Sequence, residues 1–395
     1  VALFSESCGR FVVTTSEEDV EAFEARFRGL ACRRVGRVTS EPRLLARLGG
    51  RLRLDLPVAG MKEAFRRTLS PGEVRSSHVV SAPPPSAEAR RPATGGPVER
   101  FRALPEDEKR ERRAAVRVLV LTGLGLNCEA ETAEGFRLAG ASPERVHLLD
   151  VLDGRAPRDL AEYQILALVG GFAFGDHMGA GSVFANKIRW RLYDRLVEFL
   201  ERGGLALGIC NGFQTMVRLG MLPGFDGDYR TPRAALAPND RVGYRNAWVR
   251  LAFDPRSPCV WTRGLAWMDA PARHGEGKFL AADPETLARL EEGGQIAARY
   301  LGPEGAPTEE WPWNPNGSPG AVAGVCDPSG RLFGLMPHPD AFLYGFQHPM
   351  WPRRRLRSPV PDEGEGTAIF RNGVDAAAAE RRGGPGVSGL TARRS

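Results

Sequence analysis

The stretch Leu205-Ala206-Leu207-Gly208-Ile209-Cys210-Asn211-Gly212 decides how the rest of the chain is read. Leu205 to Ile209 is an unbroken apolar run, which predicts a buried strand. Beyond Gly212, the residues Phe213, Met216 and Val217 fall at helical spacing. Strand, sharp turn and helix, with a cysteine at the turn and glycines two residues to either side, is the layout of a nucleophile elbow. The glycines are needed because a side chain beside so tight a turn would strike the strand or the helix. A buried structural cysteine is the alternative reading, and the G-x-C-x-G frame argues against it.

Working outward from the elbow, residues 115 onward alternate strands and helices. Val116–Thr122, Val146–Val151, Ile165–Val169 and Leu205–Ile209 read as strands. Ala130–Ala139 and a long Asn186–Arg202 segment read as helices, the latter with Ile188, Leu192, Leu196 and Leu200 on one stripe. This order implies an α/β fold with a mostly parallel sheet, right-handed crossovers and helices on both faces. In such sheets the site lies beyond the C-terminal strand ends. Gly123–Asn127, Gly170-Gly171 and Cys210 all fall there. Further on, Arg245–Phe253 and Gln295–Tyr300 read as strands. Ala321–Cys326 and Arg331–Met336 read as a hairpin joined by Asp327-Pro328-Ser329-Gly330. Thr367–Glu380 reads as a last helix.

Ahead of this domain, residues 1–69 read as a small α+β unit. Strands are expected over Phe4–Thr14, Arg34–Thr39 and Arg51–Leu56, and helices over Glu17–Arg28 and Val58–Leu69. Residues 70–114 hold Ala82-Pro83-Pro84-Pro85, Gly95-Gly96-Pro97 and the charged run Glu106–Arg113, which read as a flexible linker with a helical turn at its end. The domain proper is expected over 115–382 and a disordered tail over 383–395.

The 395 residues, 42% hydrophobic and 26% charged, suit a globular chain of two or three domains. No apolar run approaches the ~20 residues that span a bilayer, and the N-terminus has no leader pattern, so a membrane role is not expected. The chain opens at Val1, without methionine, in a strand-like stretch, and reads as the C-terminal portion of something longer. Its six cysteines include no C-x-x-C pair, which argues against a structural zinc site and for a reducing, cytoplasmic setting. The net charge of +6 sets 54 basic residues, only four of them lysine, against 48 acidic ones, and much of the excess sits in the linker, in Arg353-Arg354-Arg355 and near the C-terminus. That is compositional bias rather than a nucleic-acid surface.

A nucleophilic cysteine needs a base, and the base needs an orienting group. Two of the six histidines lie in an H-x-acid arrangement, His274-Gly275-Glu276 and His338-Pro339-Asp340. Spacing does not choose between them. His338 follows the core strand ending Gly334-Leu335-Met336, a position from which it meets Cys210 above the sheet. His274 lies in the glycine-rich Arg273–Phe279, read as a surface loop. The backbone amides of Asn211 and of the Gly170-Gly171-Phe172 turn are candidate donors to an oxyanion.

The segments LVGGFAFGD (168–176), LGICNGFQ (207–214), RHGEGKF (273–279), NPNGS (314–318) and GLMPHPD (334–340), together with GLGLNCE (123–129), resemble the glutaminase part of the phosphoribosylformylglycinamidine synthases. That part belongs to the class I, or triad, glutamine amidotransferases. The resemblance implies a flavodoxin-like amidotransferase fold. It makes Cys210 the nucleophile, His338 the base and Asp340 the orienting acid, with the oxyanion held by Gly171 and Asn211. It places Asn127, Gly170, Phe172, Gln214, His274, Glu276 and Asn316 in substrate binding or at an interface, and no metal in this chain. The family usually carries glutamate at the position of Asp340 and a basic residue at that of Ala341. The implied reaction is glutamine hydrolysis that supplies ammonia for the conversion of formylglycinamide ribonucleotide in purine biosynthesis. ATP and magnesium are expected only in a synthetase partner, whose C-terminal end the opening LFSESCGRFVV is similar to. Two other readings fit the elbow: a hydrolase of other γ-glutamyl substrates, and a pseudo-amidotransferase that only binds or regulates a synthetase.

Overall fold

Four hydrophobic runs set the frame of the larger unit. In the computed structural model, which describes residues 12–30, 32–69, 96–356 and 359–380, the chain divides into two units at residues 78/79. The N-terminal unit holds α1 (Val20–Arg26), a hairpin of β1 (Arg43–Leu48) and β2 (Arg51–Pro57), and α2 (Val58–Leu69). The strand expected over Arg34–Thr39 does not form, and β1 takes its place as the partner of β2. The expected strand at Phe4–Thr14 falls largely outside the described residues, and Val12–Thr14 are not in a strand.

The second unit begins with α3 (Pro97–Arg102) and α4 (Glu106–Ala114). It continues through β3 (Arg117–Thr122), α5 (Glu129–Leu138), β4 (Ser142–His147), α6 (Leu148–Leu152), β5 (Ile165–Leu168), α7 (Ser182–Arg191), α8 (Tyr193–Glu201), β6 (Leu205–Ile209) and α9 (Asn211–Leu219). Its second half holds β7 (Ala234–Pro238), β8 (Arg245–Phe253), β9 (Trp267–His274), β10 (Glu276–Ala281), α10 (Pro284–Glu292), β11 (Ala298–Tyr300), β12 (Val322–Cys326), β13 (Leu332–Leu335), α11 (Trp351–Arg355) and α12 (Thr367–Glu380). The main sheet has nine strands in the order β4-β3-β5-β6-β13-β12-β11-β8-β9. From β4 to β13 all pairs are parallel, and from β13 to β9 all are antiparallel. β5, β6 and β13 are buried at every residue, as expected of central strands covered on both faces. β7 and β10 form a separate two-stranded ribbon.

Three sequence expectations need correction here. Residues 97–102 and 106–114 are helices rather than linker, the second taking in the helical turn expected over Glu106–Arg113. Val98 and Phe101 are buried, and Arg102 and Arg113 reach Asp375 of α12 at 3.3 and 2.8 Å. The segment 146–151 straddles the end of β4 and the start of α6, where the His147 ring caps the helix by accepting from the Leu149 N–H at 3.2 Å. The long helix over 186–202 is two helices meeting at Leu192, whose φ of −132° breaks the α conformation. The remaining expected linker residues, 70–95, and the tail from 383 lie outside the described residues.

Candidate active site

The elbow forms where β6 hands over to α9. Cys210 has φ 50° and ψ −105°, a conformation that costs a residue with a side chain about 1–3 kcal/mol. Gly212 explains how the turn packs so tightly: a Cβ there would overlap the Leu168 carbonyl of β5. The Cys210 N–H is tied to the Leu335 carbonyl at 2.8 Å, which fixes the elbow to β13. β6 and β13 run parallel with Ile209 beside Leu335, so Cys210 and the segment Met336-Pro337-His338 leave the sheet at the same edge. The Cys210 side chain is buried, and its thiol donates to the Arg273 carbonyl at 3.5 Å.

His338 and Asp340 are both almost fully buried. His338 Nδ1 lies 3.2 Å from Asp340 Oδ1, and Asp340 Oδ2 accepts from the Thr132 hydroxyl at 3.1 Å. Nε2 of His338 is buried with no hydrogen-bond partner. Burial acts to push this imidazole down, but the charges of Asp340 and Cys210 outweigh it and hold His338 well above the ordinary histidine value. A carboxylate on Nδ1 leaves Nε2 as the ring nitrogen able to exchange a proton with a nucleophile.

The turns after β3 and β5 are zipped together at this edge. The Gly170 carbonyl accepts from the N–H groups of Asn127 and Cys128, each at 3.3 Å, and Phe172 N–H donates to Gly125 at 2.8 Å. Gly171 adopts φ 136°, and a Cβ there would sit 2.7 Å from the Leu126 Cα. Asn211 is the first residue of α9, so its N–H has no acceptor within the helix.

Residues 115–375 match the CobB/CobQ-like glutamine amidotransferase domain. Subunit PurQ of phosphoribosylformylglycinamidine synthase from Dehalococcoides mccartyi is 42% identical over 259 residues, covering 66% of this chain and 96% of that protein. The same subunit from Methanococcus maripaludis is 41% identical over 266 residues, again covering 66% and 96%. The chain belongs to the PurQ-type glutamine amidotransferases. A solved structure, PurLQS from Thermotoga maritima, aligns with TM-score 0.48 and 26% identity over 66% of this chain and 99% of that one. The larger unit is thus a glutamine amidotransferase domain over residues 115–375.

In this amidotransferase His274 is not on a surface loop. It ends β9, is buried, and its Nδ1 lies 3.2 Å from Asn239 Oδ1. Burial, and then the charge of His338, push it down to about 3, so it is neutral at physiological pH. Glu276 accepts from the Ala180 N–H at 3.1 Å through Oε2, and its carbonyl accepts from Gln214 Nε2 at 2.6 Å. Gln214 also accepts from Asn211 Nδ2 at 3.0 Å, so these residues brace the elbow helix against β10. Asn316 is buried, with its amide spent on the Gly277 carbonyl and the Tyr300 hydroxyl and its oxygen on Ser318. Phe172 is exposed and meets the ring of Tyr244 at 6.0 Å.

The sequence reading did not single out Thr132, Asp176 or Tyr244. Asp176 accepts from Asn211 Nδ2 at 3.0 Å and so holds the residue after Cys210. Thr132 stands one helical turn beyond Cys128 on α5, and that i, i+4 spacing was the available signal.

Proposed function

We propose that this amidotransferase hydrolyses glutamine through Cys210, His338 and Asp340 and passes the ammonia to a phosphoribosylformylglycinamidine synthetase. The observation that carries the reading is the buried His338–Asp340 pair at the strand edge beside the strained Cys210. Cys210 Sγ attacks the glutamine side-chain carbonyl while His338 Nε2 takes the thiol proton. The oxyanion is held by the amides of Gly171 and Asn211. Collapse of the intermediate breaks the C–N bond, and His338 returns the proton to the leaving ammonia. A γ-glutamyl thioester remains. Water then attacks it with His338 as base, releasing glutamate and restoring the thiol. In this reading ATP activates the ribonucleotide's amide in the synthetase, and residues 1–69 are the end of that subunit, fused ahead of the glutaminase. The work is soluble and cytoplasmic, which accords with there being no helix among the described residues long and apolar enough to cross a membrane.

The test is labelling with a diazoketone analogue of glutamine, followed by peptide mass spectrometry. A single adduct at Cys210 is expected. No adduct, even with the synthetase present, overturns both hydrolytic readings and leaves a protein that only binds its partner.

A further inference from the structure

Cys128 has no part in that hydrolysis, yet its thiol stands against the proposed base. Its Sγ, a ring nitrogen of His338 and a carboxylate oxygen of Asp340 all lie within 4.8 Å of one another, the only such group of three among the described residues. His338 and Asp340 are almost fully buried, Cys128 is part-buried, and His338 Nε2 has no hydrogen-bond partner. Thiolate, imidazole and carboxylate are the ligand types of open zinc sites, in which three protein groups at about 2.0–2.3 Å leave a fourth position for water. Small side-chain rotations bring donors at these separations onto one ion. Cys210 is outside the set, its thiol directed to the Arg273 carbonyl.

We propose that Cys128, His338 and Asp340 bind a thiophilic divalent cation, zinc or cadmium, and that the bound ion switches the amidotransferase off. Binding forms a metal–sulfur, a metal–nitrogen and a metal–oxygen bond, and the Cys128 thiol proton and the proton held on the ligating His338 nitrogen pass to solvent. The ion then occupies the imidazole and carboxylate that the proposed hydrolysis uses to move the proton of Cys210. Binding stands independently of the hydrolytic reading, whereas the switching rests on it.

The test uses the full-length reduced chain and titrates cadmium, following the ultraviolet charge-transfer band of the thiolate–cadmium bond. The wild type and Cys210→Ser are expected to saturate with one ion at the same affinity. Cys128→Ser is expected to bind at least tenfold more weakly, and Cys128→Ala, checked for folding by circular dichroism, to behave the same way. Thiols elsewhere in the chain contribute equally to each protein and cancel in the comparison. Loss of affinity in Cys210→Ser, or in none of the variants, overturns the site. For the switch, saturating cadmium is expected to slow labelling of Cys210 by the glutamine analogue at least tenfold. A chelator should restore it, and Cys128→Ser should be insensitive. Labelling that is unaffected while the band forms overturns the switch alone. Labelling absent without metal overturns the hydrolytic reading and leaves the binding result standing.

Discussion

Thr132 donates its hydroxyl to Asp340 Oδ2 at 3.1 Å, while Oδ1 of the same carboxylate faces His338 Nδ1 at 3.2 Å. Both oxygens of a short acid are therefore engaged, one by α5 and one by the imidazole. Aspartate is a methylene shorter than the glutamate usual in the family, and the Thr132 bond keeps it from rotating away from the ring. Removing a hydrogen bond to a buried charged group costs about 1.5–3 kcal/mol. Thr132→Val is accordingly expected to lower kcat for glutamine hydrolysis about tenfold with little change in KM, and Thr132→Ser to restore most of it. Equal rates in wild type and Thr132→Val would show that Asp340 holds its orientation without this bond.

The two H-x-acid histidines separate cleanly on charge. His338 is held up by Asp340 and Cys210 against the pull of burial, and His274 is driven down by burial. Asp340→Asn removes the larger of the charges that oppose burial, so the His338 pKa is expected to fall. An NMR pH titration of histidine-labelled protein should place the His338 imidazole pKa lower in Asp340→Asn than in the wild type. Glutamine hydrolysis should be abolished in His338→Ala and partly retained in His274→Ala. The opposite pattern in the two alanine variants would assign the base to His274.

The elbow and the parallel half of the sheet were legible because apolar runs bounded by glycine have few other readings. Residues 97–114 were only partly so: a helical turn was expected over Glu106–Arg113, but α4 is built almost wholly of charged residues and has the composition of a linker. Its helix is supported by pairs such as Lys109–Glu106 at 2.5 Å and Arg112–Glu108 at 2.6 Å, and by Arg113 docking on Asp375. His274 was misplaced for a similar reason. Glycines at 275 and 277 suggested a loop, whereas Arg245 to Ala252 of β8 pair along β9 and bury the histidine. Thr132 had only its spacing from Cys128 as a signal, because its role depends on α5 packing against the Pro339–Ala341 turn, a long-range contact.

His274 also gives a pH dependence of stability. Its folded value of about 3 lies below the ordinary 6.5 of an exposed histidine, so between those values the unfolded chain binds a proton that the folded chain does not. Its contribution is fully present above pH 6.5 and is lost as the pH falls towards 3, by up to about 1.4 kcal/mol per pH unit. His274→Gln removes the titration. Urea unfolding at pH 7, 6, 5 and 4 is expected to show a shallower loss of stability in the variant, whatever its offset at pH 7. Parallel slopes would mean that His274 takes up a proton in the folded protein.

The backbone at Cys210 should make this residue a liability to the fold. With φ 50° and ψ −105°, Cys210 occupies a conformation that glycine adopts with little strain, at the cap of α9, where glycine is also preferred to alanine. Cys210→Ala and Cys210→Gly both lack the thiol, so any difference in stability between them reports the backbone rather than the chemistry. Alanine keeps a Cβ and the strain, and glycine relieves it. Cys210→Gly is expected to be more stable than Cys210→Ala by about 1 kcal/mol, read as a higher urea midpoint at unchanged slope. Glycine's greater freedom in the unfolded chain works against this by roughly 0.5–1 kcal/mol, so a positive difference requires that the strain exceed that cost. A Cys210→Gly variant less stable than Cys210→Ala would mean that the turn is held without appreciable strain, its shape set by Gly212 and the contact with β5.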